Sequence, residues 1–212
     1  MFSKLHFRTF DFSRKNISMD FLKVYYTEYG RFIINFESIC YHINFYIRNV
    51  INKDDMFKND DRRIEILLEG ITANPLLSKF KSIFLTTTDS ENIDLTNIFT
   101  NFSNSFSKII ELRNYLAHGT FMFQPNTDEE IFKVINPKLT KKGFTEKGSI
   151  ITIESFRKLN DNIEKLKKVI GNINYFSHAK NIENSTLKEI LIKETLTILS
   201  NIDVNLDKIE LK

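Results

Sequence analysis

Ile109-Ile110-Glu111-Leu112-Arg113-Asn114-Tyr115-Leu116-Ala117-His118-Gly119 closes the pattern that decides the fold of this chain. Reading back from Gly119, the residues Ile98, Phe102, Phe106, Ile109 and Leu116 recur at spacings of 4, 4, 3 and 7. That is the buried stripe of an amphipathic helix, and it predicts one from Asp94, as N-cap, to His118. Gly119 follows the last periodic residue, where a left-handed C-terminal position costs glycine least. At roughly 100° per residue Arg113 falls within the arc of Phe102, Phe106 and Ile109, so a cation points into the protein. A guanidinium placed there needs a carboxylate or phosphate partner, because an uncompensated buried charge costs several kcal/mol.

Patterning elsewhere is also helical. Phe32, Phe36, Ile39, Cys40, Ile43, Ile47 and Val50 trace an apolar face between about Ser18 and Asn52, as one long helix or two joined near Gly30. Beside that face run Glu37, Tyr41, Asn44 and Arg48, a polar strip that makes Glu37 the candidate partner of Arg113. The alternative is an ordinary solvated strip with a Glu37–Arg48 contact. If Glu37 does pair with Arg113, Glu37→Ala should destabilise more than Arg113→Met, since it strands the cation. Arg62–Glu69 reads as a short helix closed by Gly70, and Asn74-Pro75 as the cap and first residue of a helix burying Leu76, Leu77, Phe80, Ile83 and Phe84.

After Gly119 short apolar runs, Thr120–Phe123, Ile131–Ile135 and Ile150–Ile153, alternate with polar segments and predict a small β-hairpin or meander inserted at about 120–153. Its loop carries Lys138, Lys141, Lys142 and Lys147, placed to hold RNA phosphates. Helical spacing returns from Glu154 to Tyr175 and again from Asn184 or Ser185 to about Asn201. The expected architecture is therefore all-α, with a lead-in over 1–17 whose phenylalanines tack onto the body. A single domain over 18–212 follows, carrying the β-insertion and C-terminal helices over 154–201.

Composition narrows the function classes. The 212 residues include 20 Phe but only 6 Gly and 3 Pro, which favours long helices over a many-stranded sheet. The formal charge of +3 permits RNA without requiring it. One cysteine, Cys40, allows no internal disulfide and lies on an apolar face as a small core residue. No signal core or membrane-length apolar run is seen, which predicts a cytoplasmic chain without a membrane partner. His6, His42, His118 and His178 lack the paired spacing of a zinc site, and there is no P-loop, glycine-rich dinucleotide turn or serine elbow, so neither metal nor cofactor is expected.

Arg113-Asn114-Tyr115-Leu116-Ala117-His118 resembles the signature of the HEPN superfamily, an arginine, a polar residue, three further residues and a histidine. Gly30-Arg31-Phe32 through Glu37 and Cys40, and Arg63 through Leu76, are similar to a bacterial group of stand-alone HEPN-like proteins. The resemblance implies a helical bundle acting as a homodimer, with the motif near the end of a bundle helix and shared between subunits. It further implies a metal-independent endoribonuclease of the toxin or phage-defence kind, with RNA as substrate and an antitoxin protein as a possible partner. In it His118 would move protons at the 2′-hydroxyl and the leaving oxygen, Arg113 would stabilise the developing phosphorane charge, and Asn114 would be the polar position beside the arginine. Tyr115 and Glu37 are the supporting residues, and DNA is not a substrate. The rival expectation is a non-catalytic helical module that binds RNA, nucleotide or a partner protein. Under it, Arg113 and His118 simply complement the helix dipole.

Overall fold

The computed structural model describes residues 19–51, 62–87, 93–124, 131–140, 143–178 and 185–202. Among them the chain runs through helices α1 (Met19–Ile51), α2 (Arg62–Leu68), α3 (Ala73–Thr87) and α4 (Ile93–His118). Strands β1 (Thr120–Gln124), β2 (Ile131–Thr140) and β3 (Gly143–Ile151) follow, and then helices α5 (Ile153–His178) and α6 (Ser185–Ser200). The architecture is all-α, with one small antiparallel sheet of order β1-β2-β3. The lead-in expected at 1–17 lies outside the described residues.

Helix α1 passes through Gly30 without a break, because the apolar periodicity on both sides buries one continuous face containing Phe32, Phe36, Ile39, Ile43 and Ile47. Against it, α5 runs in parallel with a constant sequence offset. The Asn160 amide nitrogen donates to the Glu28 carbonyl at 3.0 Å and to its carboxylate at 2.9 Å. The Lys167 ammonium donates to the Asn35 side-chain oxygen at 3.1 Å, and the Asn174 amide to the His42 carbonyl at 3.3 Å. Positions 28, 35 and 42 advance by sevens, as do 160, 167 and 174, so polar rungs recur every heptad and pin the register of the two helices. Charges close the seam. Arg31 bonds Glu164 at 2.7 Å and reaches Asp161 at 3.5 Å, while Glu28 also accepts from Arg157 at 3.3 Å.

On another side of α1, aromatic rings carry the packing into α3 and α4. Tyr46 meets Phe80 edge-on at 4.8 Å, Phe80 meets Phe99 at 5.1 Å, and Phe84 stacks on Phe99 at 4.3 Å. Phe102 stacks on Phe106 at 5.9 Å, and Phe106 on Phe36 at 5.6 Å. The file of rings thus ends on α1 beside the last turns of α4. Helix α6 closes the other side of α5, where Asn172 donates to the fully buried Thr195 hydroxyl at 2.8 Å.

Several boundaries differ from expectation for local reasons. Helix α3 begins at Ala73, where the Leu76 amide bonds the Thr72 carbonyl at 3.1 Å, so Asn74 lies inside the first turn rather than capping it. Pro75 is still tolerated, because first-turn amides have no helical acceptor. Gly70 takes a positive φ of 68°, as the stop after α2 requires. Asp94 lies within α4 rather than at its cap, since the helix starts at Ile93. The Thr152 hydroxyl accepts from the Ser155 amide at 3.1 Å and caps α5. Within α6, Leu187 and Ile190, expected in the apolar face, are exposed.

The sheet departs most. Residues 136–149, expected as a loop, instead extend β2 and β3 into a long hairpin in which Lys138 pairs with Thr145 and Lys147 with Asn136. Pro137 hid that strand. It lies beyond the β1 pairing, which ends at Thr120 opposite Ile135, so β2 has a neighbour on one side only and can accept a residue without an N–H.

Candidate active site

Arg113 lies where its helical phase requires, half-buried among the apolar residues of α4. Its guanidinium sits over the Phe36 ring, 5.7 Å from the centroid, at the end of the aromatic file. One terminal nitrogen donates to the Asn114 side-chain oxygen at 3.4 Å. The Nε is buried without a hydrogen-bond acceptor, and no carboxylate among the described residues lies within ion-pairing distance of Arg113.

Glu37 is therefore not the partner expected of it. Its side chain is exposed, one step round α1 from Phe36, and the ring occupies the place a carboxylate would need. The alternative Glu37–Arg48 contact is not formed either, since Arg48 bonds Glu65 on α2 at 2.9 Å. What Glu37 and Arg113 share is Cys40. Burial first, and the Glu37 carboxylate second, push its thiol up to about 12, against an opposing pull from Arg113. Cys40 is thereby a protonated, inert neighbour of the site rather than a nucleophile.

Tyr115 has a definite structural task. Its hydroxyl donates to the Val134 carbonyl in β2 at 2.9 Å, fastening the end of α4 to the sheet. Val134 is fully buried there, so the tether reaches into the core. His118 is the last residue of α4 and is exposed, at a helix end whose carbonyls favour a proton on the imidazole. Arg113 and His118 diverge by roughly 140° around the helix and about 7.5 Å along it. One subunit thus brings Arg113 to Asn114 and Phe36, while His118 faces away into solvent. Lys138 belongs to β2, and Lys141 and Lys142 lie outside the described residues.

Two participants escaped the sequence reading. Phe36 was legible only as a core residue, and no periodicity announces which ring a cation will cover. The Val134 carbonyl is a backbone group with no sequence signal at all. No group of acidic, histidine and cysteine side chains capable of holding a metal occurs among the described residues. None of the described helices is long and apolar enough to cross a membrane.

In comparisons with protein-family models, with curated proteins and with solved structures, nothing matches this chain. The HEPN resemblance therefore stands on the quoted residues and on the geometry just described.

Proposed function

We propose that this chain is a metal-independent endoribonuclease in which Arg113 and His118, contributed by two copies of the chain, act on one RNA phosphate. The observation that carries the reading is an exposed histidine at the end of α4, next to an arginine that lacks a carboxylate partner among the described residues. A cation already neutralised by Glu37 would offer little to a phosphate, whereas this one keeps its charge. Because the two side chains diverge on one helix, a second subunit supplies the complementary group. His118 moves protons at the ribose 2′-hydroxyl and at the leaving 5′-oxygen, and Arg113 meets the charge that builds on the phosphorane. Asn114 orients the guanidinium, and Tyr115 holds the end of α4 to the sheet.

The chemistry predicts its products. Attack by the 2′-hydroxyl leaves a 2′,3′-cyclic phosphate and a 5′-hydroxyl, proceeds in EDTA, and spares DNA. His118→Ala should lower cleavage about 10²–10⁴-fold and leave folding intact. End-group analysis of RNA incubated with wild type and with this variant tests the site. Cleavage undiminished by the substitution, or 3′-hydroxyl products, excludes it.

A second reading has its own observation. Arg113 covers Phe36 and bonds Asn114, contacts that a purely structural arginine also makes. In that case the chain is a helical binding module for RNA, nucleotide or a partner protein. Wild type that cleaves no member of a broad RNA panel favours it. Growth arrest on expression, relieved by His118→Ala or by a co-expressed neighbouring protein, instead favours a toxin held by an antitoxin in the cytoplasm.

A further inference from the structure

Helix α1 carries a second apolar line that the core does not use. Ile34, Tyr41 and Phe45 are 70%, 67% and 37% exposed, and Tyr26, nearer the start of the helix, is 66% exposed. At 100° per residue, Gly30, Ile34, Tyr41 and Phe45 share an arc of roughly 60°, almost opposite the buried Phe32, Ile39 and Ile43. A Cβ added at Gly30 would meet nothing within 4 Å, so the line has an open notch as well as three projecting side chains.

We propose that this face is a homodimer seam in which the α1 helices of two copies pack antiparallel about a two-fold axis between Glu37 and Ser38. The spacing argues for a second copy over any other occupant. A two-fold contact must be self-complementary, so residues pair only if their numbers sum to a constant. Ile34 with Tyr41 and Gly30 with Phe45 give the same sum, 75, which centres the axis at 37.5. Each Ile34 then packs on the partner subunit's Tyr41, and each Phe45 enters the notch at the partner's Gly30. Taking about 200 Å² for a whole large side chain, the four exposed ones offer on the order of 500 Å² per subunit. A stable interface needs about 800 Å² per partner, and the polar flanks of roughly 35 Å of paired helix supply the remainder.

Two consequences follow from the same axis. Phe36, Cys40 and Glu37 lie on the α4 flank of α1, and a two-fold across the seam puts both copies of that flank on one side of the assembly. The seam thereby deepens the dimer required by the ribonuclease reading, yet it does not depend on RNA cleavage. In addition, the two Glu37 carboxylates stand beside the axis, like charge near like charge, with no ion pair among the described residues to relieve them.

The test is association of the full chain, measured by sedimentation, with RNA cleavage read separately. Wild type should be dimeric, and Ile34→Glu with Tyr41→Glu monomeric, with its helical circular dichroism retained. Gly30→Leu should weaken the dimer about tenfold by filling the notch, although it adds apolar surface and a better helix former. Glu37→Gln should tighten it. Ile34→Cys with Tyr41→Cys should cross-link two chains on oxidation, since one helix holds these positions too far apart to join each other. A monomeric wild type overturns the proposal, as does a Gly30→Leu dimer as tight as wild type. A dimer that appears only after deletion of residues 1–17 also overturns it, by showing that the lead-in occupies the face. Loss of cleavage by His118→Ala in an unchanged dimer bears on the ribonuclease reading alone.

Discussion

The two flanks of α1 handle polar groups in opposite ways. Toward α5, Arg31 and Arg157 meet the carboxylates of Glu28, Asp161 and Glu164, and three amide or ammonium rungs repeat every seven residues. Toward α4, Arg113 meets a phenylalanine ring and a neighbouring amide, and its Nε has no acceptor. The α5 flank satisfies its charges internally and fixes register; the α4 flank leaves one cation for something outside the subunit. Burial does not explain the contrast, since Arg31 and Arg113 both lie near the rim of the same bundle.

The sharpest way to break this comparison is at Asn160, which is fully buried and bonds both the carbonyl and the carboxylate of Glu28. Asn160→Ala removes both bonds and leaves buried acceptors wanting, at a cost of about 2–3 kcal/mol. Urea denaturation measures it. A loss below about 0.5 kcal/mol would mean that solvent reaches the seam and that the rungs do not hold the register.

A smaller effect is expected on the other flank. Arg113→Met keeps most of the apolar stem over Phe36 and strands no carboxylate, so stability should change by less than about 1 kcal/mol. Glu37→Ala should change it by less than about 0.5 kcal/mol, reversing the order that a Glu37–Arg113 pair would give. The same denaturation series decides the matter. A penalty of 3 kcal/mol or more at either position would expose a buried charge pair.

The contrast also explains what the sequence disclosed. The α4 stripe, its end at His118 and the inward phase of Arg113 were legible because apolar periodicity is a local property, satisfied by whatever packs against it. The choice between Glu37 and Phe36 was not, since both lie within reach on α1 and only the packed angle of two helices decides which one faces Arg113. The heptad offset of α1 and α5 was hidden likewise, as it joins segments 132 residues apart through carbonyls that have no sequence signature. The hairpin beyond residue 135 was obscured by Pro137, whose tolerance depends on where β1 stops. The candidate site was thus readable as a motif, while its partners were fixed by packing.

The mildest probe is Cys40, which reports on the α4 flank without disturbing it. Its thiol is raised from 9.0 to about 12, by burial first and by Glu37 second, with Arg113 opposing. A raised acid pKa means that the folded state holds the proton longer than the unfolded chain does. The resulting stability is complete below pH 9.0 and is lost progressively as pH rises toward 12. At pH 8 the native thiol should therefore resist iodoacetamide, and modification should proceed only as fast as the chain opens. Arg113→Met removes the opposing pull and should slow alkylation further at pH 9–10, whereas Glu37→Gln should speed it. Mass-spectrometric rates for the three proteins read these signs directly. If Arg113→Met accelerated alkylation instead, the arginine would be shielding the thiol sterically, and the electrostatic contrast between the two flanks of α1 would not extend to Cys40.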